Sequence, residues 1–388
     1  MPEASGALPL ACIKVVELGS SVAAPYAGSI LAELGATVIK VEKPGRGDDA
    51  RGWGPPFHDG AGTIFHALNR NKSSIAVDLA DPAELARLRR LLVEEADVLI
   101  QNMRPGQAER LGLGAGALLA ENPRLIHATI AAFGQAGPLA DRPGYDPLMQ
   151  AFGGLMGVTG EPGRPPVRVG TSLIDMGSGM WVVIGVLAAL IKRAETGRGG
   201  EVGASLYETA LGWMTYHVTA HSASGEEPKP QGTGSPYIVP YGAFPTFDGQ
   251  LLVTAGNDTL FTKLCAVLSQ PELARDPRFA TNPDRVRHRP ILEALLGEAL
   301  STQPTDHWIA LLHKVGVPCA PIQTVAQVMA HEQTAALDIV RRSADGKLAF
   351  VGLPLSFDGV RPGRNEPVPT VGADTEAVFG TSGLNRNG

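Results

Sequence analysis

The segment Gly144-Tyr145-Asp146-Pro147-Leu148-Met149-Gln150-Ala151 places one acidic side chain in an uncharged turn, directly before a proline and an apolar stretch. Two roles suit an aspartate in that setting. Asp followed by Pro is a strong helix-start signal, with the acid as N-cap and the proline in the first turn. A carboxylate at a helix N-terminus is also favoured in its ionised form, which suits a covalent nucleophile. The donors that hold it could stabilise charge developing on a bound carbonyl. These residues alone leave both readings open. Asp175, in Ser172-Leu173-Ile174-Asp175-Met176-Gly177, has the same ambiguity with weaker cap chemistry.

Asn69-Arg70-Asn71-Lys72 precedes a strand candidate, and Gln101-Asn102-Met103-Arg104-Pro105-Gly106 follows one. Each reads either as a solvated loop or as a ligand loop, since open α/β sheets bind ligands beyond their strand C-termini and such cations suit phosphates. His66 and His127 lack partners at ligand spacing and read as structural. Cys12, Cys265 and Cys319 form no metal-ligand spacing and no even disulfide set. No metal site is expected, and a reducing cytoplasm is the simplest compartment.

The elements that must position these groups show a repeating pattern. Ile13 to Leu18 reads as a strand, Pro25 to Leu34 as a helix stopped by Gly35, and Thr37 to Val41 as a second strand. Ser74 to Leu79, Val98 to Gln101 and Leu125 to Ile130 are further strands. A helix capped at Asp81-Pro82 runs to about Glu95. This alternation predicts a doubly wound α/β domain. Ser224 to Pro240 reads as a linker, followed by a strand pair turning at Asp248-Gly249 and helices to about Lys314. Met180 to Ile191 is too short to span a bilayer and reads as a buried helix.

Several function classes are disfavoured. The loop after the first strand reads Gly19-Ser20-Ser21-Val22-Ala23-Ala24, without a dinucleotide fingerprint, although Glu42 ends the second strand. Gly112-x-Gly114-x-Gly116 follows no clear strand. There is no P-loop and no G-x-S-x-G elbow. The 388 residues carry a formal net charge of −6 with scattered cations, so nucleic acid is not an expected partner. Met1 to Leu10 has no signal-peptide pattern.

Taken in order, several segments resemble the class III coenzyme A transferases, the family of formyl-CoA transferase, carnitine CoA-transferase and the bile-acid-inducible F protein. They are Gly35-Ala36-x-Val38-Ile39-Lys40-Val41-Glu42, Asn71-Lys72, Asn102-x-Arg104-Pro105-Gly106, Phe133-Gly134-Gln135-x-Gly137-Pro138, Gly144-Tyr145-Asp146 and Gly316-Val317-Pro318-Cys319-Ala320-Pro321. The resemblance covers about Ile13 to Gly363. It implies that Asp146 is a nucleophile forming aspartyl anhydride and aspartyl-CoA thioester intermediates. CoA and acyl-CoA would be substrates, with no tightly bound cofactor. It implies CoA contacts at Val22, Ala23, Lys43, Asn71, Lys72, Asn102, Met103, Arg104, Arg110, Ala131, Phe133 and Gly134. Tyr145 and Gln150 would lie near the substrate, and Gly232 and Gly234 in the region of a lid. The implied fold is a Rossmann-like large domain plus a smaller α+β domain, in an interlocked-ring homodimer. Residues 1–223 would begin the large domain, 224–324 form linker and small domain, and 325–388 return to the large one.

The family also holds 2-methylacyl-CoA racemases, whose motif reads Gly-His-Asp and whose second acid–base partner matches Asp175. A tyrosine with a reference pKa of about 10 replaces a histidine base poorly, which favours transfer. A non-catalytic CoA-binding protein is the third reading. Arg164 and Arg168 suit either a distal substrate carboxylate or plain surface.

Overall fold

The computed structural model describes residues 8–381. Six strands form one parallel sheet: β1 (Lys14–Leu18), β2 (Thr37–Glu42), β3 (Lys72–Ala76), β4 (Val98–Gln101), β5 (Ile126–Ala131) and β6 (Gly200–Ser205). Their spatial order is β3-β2-β1-β4-β5-β6. That is the doubly wound arrangement expected from the alternation, with its reversal between β1 and β4. Val15, Val16, Leu99 and Ile100 are wholly buried, as strands covered on both faces require.

Helix α1 (Ala23–Glu33) links β1 to β2, and α2 (Pro82–Glu94) links β3 to β4. The Asp81 carboxylate accepts the Ala83 and Glu84 N–H groups, so the predicted cap is present. Beyond β5 come a short helix α3 (Asp146–Phe152), a long helix α4 (Leu173–Thr196) and, after β6, α5 (Leu206–Trp213). Strand β6 had no counterpart in the sequence reading, because its burial is patchy and it holds two glycines.

Helix α4 corrects the expectation of a buried helix. It is long and apolar enough to cross a membrane by length and composition, yet only 39% of its most apolar window is buried. One face packs on α1 and the sheet. Met180, Trp181, Ile184 and Ile191 stay exposed on the other, Ile191 by 69%.

The chain forms two compact units. The first holds residues 1–153, 170–213 and 333–388, and contains the parallel sheet. Its last segment lies along the edge strand β3. Asp374 accepts the Ser74 N–H, Thr375 accepts that of Ala76, and the Asn71 side chain accepts the Glu366 N–H at 2.7 Å. Those bonds satisfy an edge that would otherwise be open to pairing.

The second unit holds 154–169 and 214–332, so Gly154–Val169 groups apart from the flanking chain, which the sequence reading did not separate. It carries an antiparallel sheet of β7 (Tyr241–Pro245), β8 (Gln250–Thr254) and β9 (Cys319–Pro321). Its core includes Phe261, Leu264, Leu292, Leu296 and Leu312.

Candidate active site

Asp146 does not cap its own helix. Tyr145 is the N-cap of α3, in extended conformation, and Asp146 is the first helical residue. Its carboxylate reaches the start of α4 instead. Oδ2 accepts the N–H of Ile174 at 2.7 Å and of Asp175 at 3.2 Å. Ser172, the N-cap of α4, makes no side-chain cap bond, so Asp146 supplies the cap from 28 residues upstream. Gln150, one turn along α3, donates its amide to Oδ1 at 2.6 Å. Asp146 is 2% exposed and Gln150 is fully buried. A carboxylate is thereby held by three donors at the positive end of a 24-residue helix.

Gly144 sits where the chain passes close to the end of Met149 and to Ala132. A Cβ there would collide with the Met149 side chain and crowd Ala132.

Asp175 lies beside the pair. Burial, with the Asp146 charge adding to it, pushes its carboxyl up to about 7. Its side chain lines a cleft of about 740 Å³ at the C-terminal end of the sheet. The loops after β1 and β4, at the switch point, form part of the wall, and the segment before α3 forms another.

The cleft gathers some of the expected CoA residues and not others. Ala23, Asn102, Met103, Arg104, Ala131 and Gly134 line it, and so does Tyr145, which is 65% exposed. Asp146 itself and Gln150 do not line it. Val22 is buried at the start of α1. Lys43 and Arg110 are exposed but lie off the wall. Phe133 is off the wall too, packed edge-to-face on Phe152 with centroids 5.2 Å apart.

Asn71 and Lys72 are corrected from ligand contacts to internal supports. Asn71 bonds Glu33 and the Arg364 carbonyl. Lys72 is buried, donating to Glu17, the Pro25 carbonyl and Asn69. Burial lowers its pKa to about 8. Glu42 is likewise committed inside the protein, taking two bonds from Arg51 and one from Ser74.

Gly232 and Gly234 belong to the second unit, where Gly232 donates to the Gly160 carbonyl at 2.7 Å. Arg164 and Arg168 are exposed there. Sequence reasoning passed over Ser20, Ser21 and Arg142, which all line the cleft. Arg142 sits four residues before Asp146, and its position just ahead of the motif was the available signal. Among the described residues, no group of three or more His, Cys, Asp or Glu could hold a metal ion.

Fold and site together define an α/β protein with a ligand cleft at its sheet's switch point and two neighbouring carboxyl groups beside it. Comparison makes the class specific. The chain belongs to CoA-transferase family III, whose profile matches residues 10–375. It is 40% identical to the acetyl-CoA:oxalate CoA-transferase of Acetobacter aceti, over 89% of this chain and 88% of that one. It is 35% identical to the human succinyl-CoA:glutarate CoA-transferase, over 96% and 85%. The crystal structure of a CAIB/BAIF family protein from Brucella suis matches with a TM-score of 0.86 at 39% identity, covering 97% of this chain and all of that one.

Proposed function

We propose that this chain moves CoA from an acyl-CoA thioester to a free carboxylic acid, with Asp146 as the covalent nucleophile. One observation carries the reading: the Asp146 carboxylate is held by Gln150 and by two amides of a long helix, beside a ligand-sized cleft. Such donors can pass to an oxyanion as charge leaves the attacking carboxylate.

An Asp146 oxygen attacks the thioester carbonyl carbon, and collapse of the adduct expels the CoA thiolate, leaving a mixed anhydride. The thiolate attacks the aspartyl carbonyl and releases the donor acid, which leaves an aspartyl-CoA thioester. The acceptor carboxylate attacks that thioester, expels the thiolate and forms a second anhydride. The thiolate then attacks the acceptor's carbonyl and frees Asp146. The thioester's energy is kept throughout, without ATP. Water would hydrolyse each intermediate, and the burial of Asp146 at 2% exposure opposes that loss.

Arg104 and Arg142, exposed on the cleft wall, support binding of CoA phosphates or of a substrate carboxylate. The substrates named for the relatives support short dicarboxylic acids as donors and acceptors. A homodimer covering the apolar face of α4 belongs to the same proposal.

Hydroxylamine trapping during turnover tests it. The expected product is a hydroxamate on Asp146, and a hydroxamate on any other residue would refute the assignment. A second reading, proton exchange at the α-carbon of a branched acyl-CoA, is favoured by Asp175, whose carboxyl titrates near neutrality. Deuterium uptake from solvent at that carbon, without CoA transfer, would establish it.

A further inference from the structure

Beneath the cleft lies a buried set of charges outside the mechanism just described. Glu17 on β1 and Lys40 on β2 are both fully buried, joined by a bond of 2.8 Å. Lys40 also pairs with Asp48 at 2.8 Å, and Asp48 is 5% exposed. Room for the Glu17 carboxylate comes from Gly28 on α1, where a Cβ would collide with it. Burial works against the Lys40 charge, but Glu17 and Asp48 outweigh it and raise its pKa to about 12. Lys72 shares Glu17, yet its pKa falls, because burial and the nearby Lys40 outweigh Glu17 and the weaker pull of Asp48.

This set ends on the turn after β1. Lys40 donates to the Gly19 carbonyl at 3.0 Å. The Ser21 N–H donates to Asp48 Oδ1 at 3.1 Å. Ser20, between them, is held from the other side of the switch point. Its N–H donates to Asn102 Oδ1 at 3.1 Å, and its carbonyl accepts from Asn102 Nδ2 at 2.9 Å. Three consecutive residues are each fixed by a different side chain. Ser21 needs that support, because its φ of 72° is left-handed and unfavourable for serine. Ser20 and Ser21 both line the cleft.

We propose that Asp48, fixed by Lys40 and Glu17, is a positioning residue that holds the Ser20–Ser21 wall of the cleft in its ligand-binding shape. Asp48 does not line the cleft: its Oδ1 reaches the wall through the Ser21 amide and also accepts the Ala50 N–H at 2.9 Å, capping the turn at Asp49–Gly52. The inference rests on the transferase reading for the identity of its ligand, CoA.

The test compares Asp48→Ala with Asp48→Asn, reading Kd for CoA by titration and KM against kcat for an acyl-CoA. Asp48→Ala removes the acceptor of the Ser21 and Ala50 N–H groups and one partner of Lys40, and is expected to raise Kd and KM at least about tenfold while sparing kcat. Asp48→Asn keeps an oxygen facing Ser21 but turns its amide NH2 toward Lys40, and is expected to recover part of the affinity that Asp48→Ala loses. Unchanged Kd and KM in folded Asp48→Ala would overturn the proposal. So would a fall in kcat alone, shared by both variants. Amide hydrogen exchange in the unliganded wild type gives a test that needs no variant. The Ser21 amide should exchange slowly, and rapid exchange would remove the clamp. Failure of the wild type to bind CoA would sink the transferase reading instead, and Ser21 exchange would still judge the clamp.

Discussion

The Asp146 carboxylate accepts the Ile174 N–H at 2.7 Å and thereby closes the N-terminus of a helix that begins 27 residues later in the chain. One side chain joins α3 to α4, so its loss should register twice. Asp146→Ala should abolish turnover, by roughly 10⁴-fold or more. It should also lower stability by about 1 kcal/mol, as loss of a helix cap does. CoA affinity should stay near the wild-type value, since Asp146 does not line the cleft. Steady-state kinetics, thermal unfolding and CoA titration of one variant separate the three effects.

Gln150 orients the carboxylate without touching the cleft. Gln150→Leu leaves Oδ1 without that donor while keeping the volume of the site. A fall in kcat of roughly 10- to 100-fold is expected, the cost of a misplaced nucleophile, with KM little changed. A variant with wild-type kcat would show that the two backbone amides suffice.

Asp175 sets a pH dependence with a definite sign. Its carboxyl titrates near 7 when folded, against about 3.9 in an unfolded chain. Below pH ~4 both states are protonated and the group costs nothing. As pH rises from there to 7 the unfolded state ionises first, so this group's contribution to stability falls, and above 7 the full cost remains. Asp175→Asn removes the cost. It should stabilise the protein by on the order of 2 kcal/mol at pH 8 and leave it unchanged near pH 4. Denaturant midpoints of both proteins across pH 4 to 8 give the difference, and a gap that shrank with rising pH would contradict the assignment.

Tyr145 is exposed on the cleft wall, next to the nucleophile. Tyr145→His should therefore fold normally, within about 0.5 kcal/mol of wild type. It restores the Gly-His-Asp pattern with a base that titrates near neutrality. Solvent-deuterium uptake at the α-carbon of a 2-methylacyl-CoA should rise above the wild-type level. Equal uptake in both proteins would show that residue 145 does not choose between the reactions.

The apolar face of α4 gives a test of assembly. Ile184 and Ile191 are 52% and 69% exposed in the single chain. A charge at either, as in Ile184→Glu or Ile191→Glu, should shift a dimer toward monomer in sedimentation at micromolar concentration. The monomer's own stability should be little affected, because each position faces outward.

Much of the parallel sheet was legible because its strands are short apolar runs separated by helix-period segments with ordinary caps and stops. Asp81-Pro82 and Gly35 work as local chemistry predicts. Strand β6 was hidden because Gly200 to Ser205 lacks an apolar run and is recruited by pairing with β5. The exposed face of α4 was hidden for a different reason. Composition reports how apolar a helix is, not which side of it is covered.

The sequence by itself determined the family and singled out Asp146 and Tyr145, since both depend on residue identity and order along the chain. It also marked the loop after β4, because an apolar run ending in a polar, cationic turn is a local signal. Only the tertiary structure decided what those residues touch. Asn71 and Lys72 carry the polar groups expected of a ligand site, yet the fold spends them on Glu33 and Glu17. Asp146 carries the local mark of a cap for its own helix, yet it caps another. A carboxylate bonds whatever donors the fold brings within about 3 Å, and chain order does not fix which donors those are.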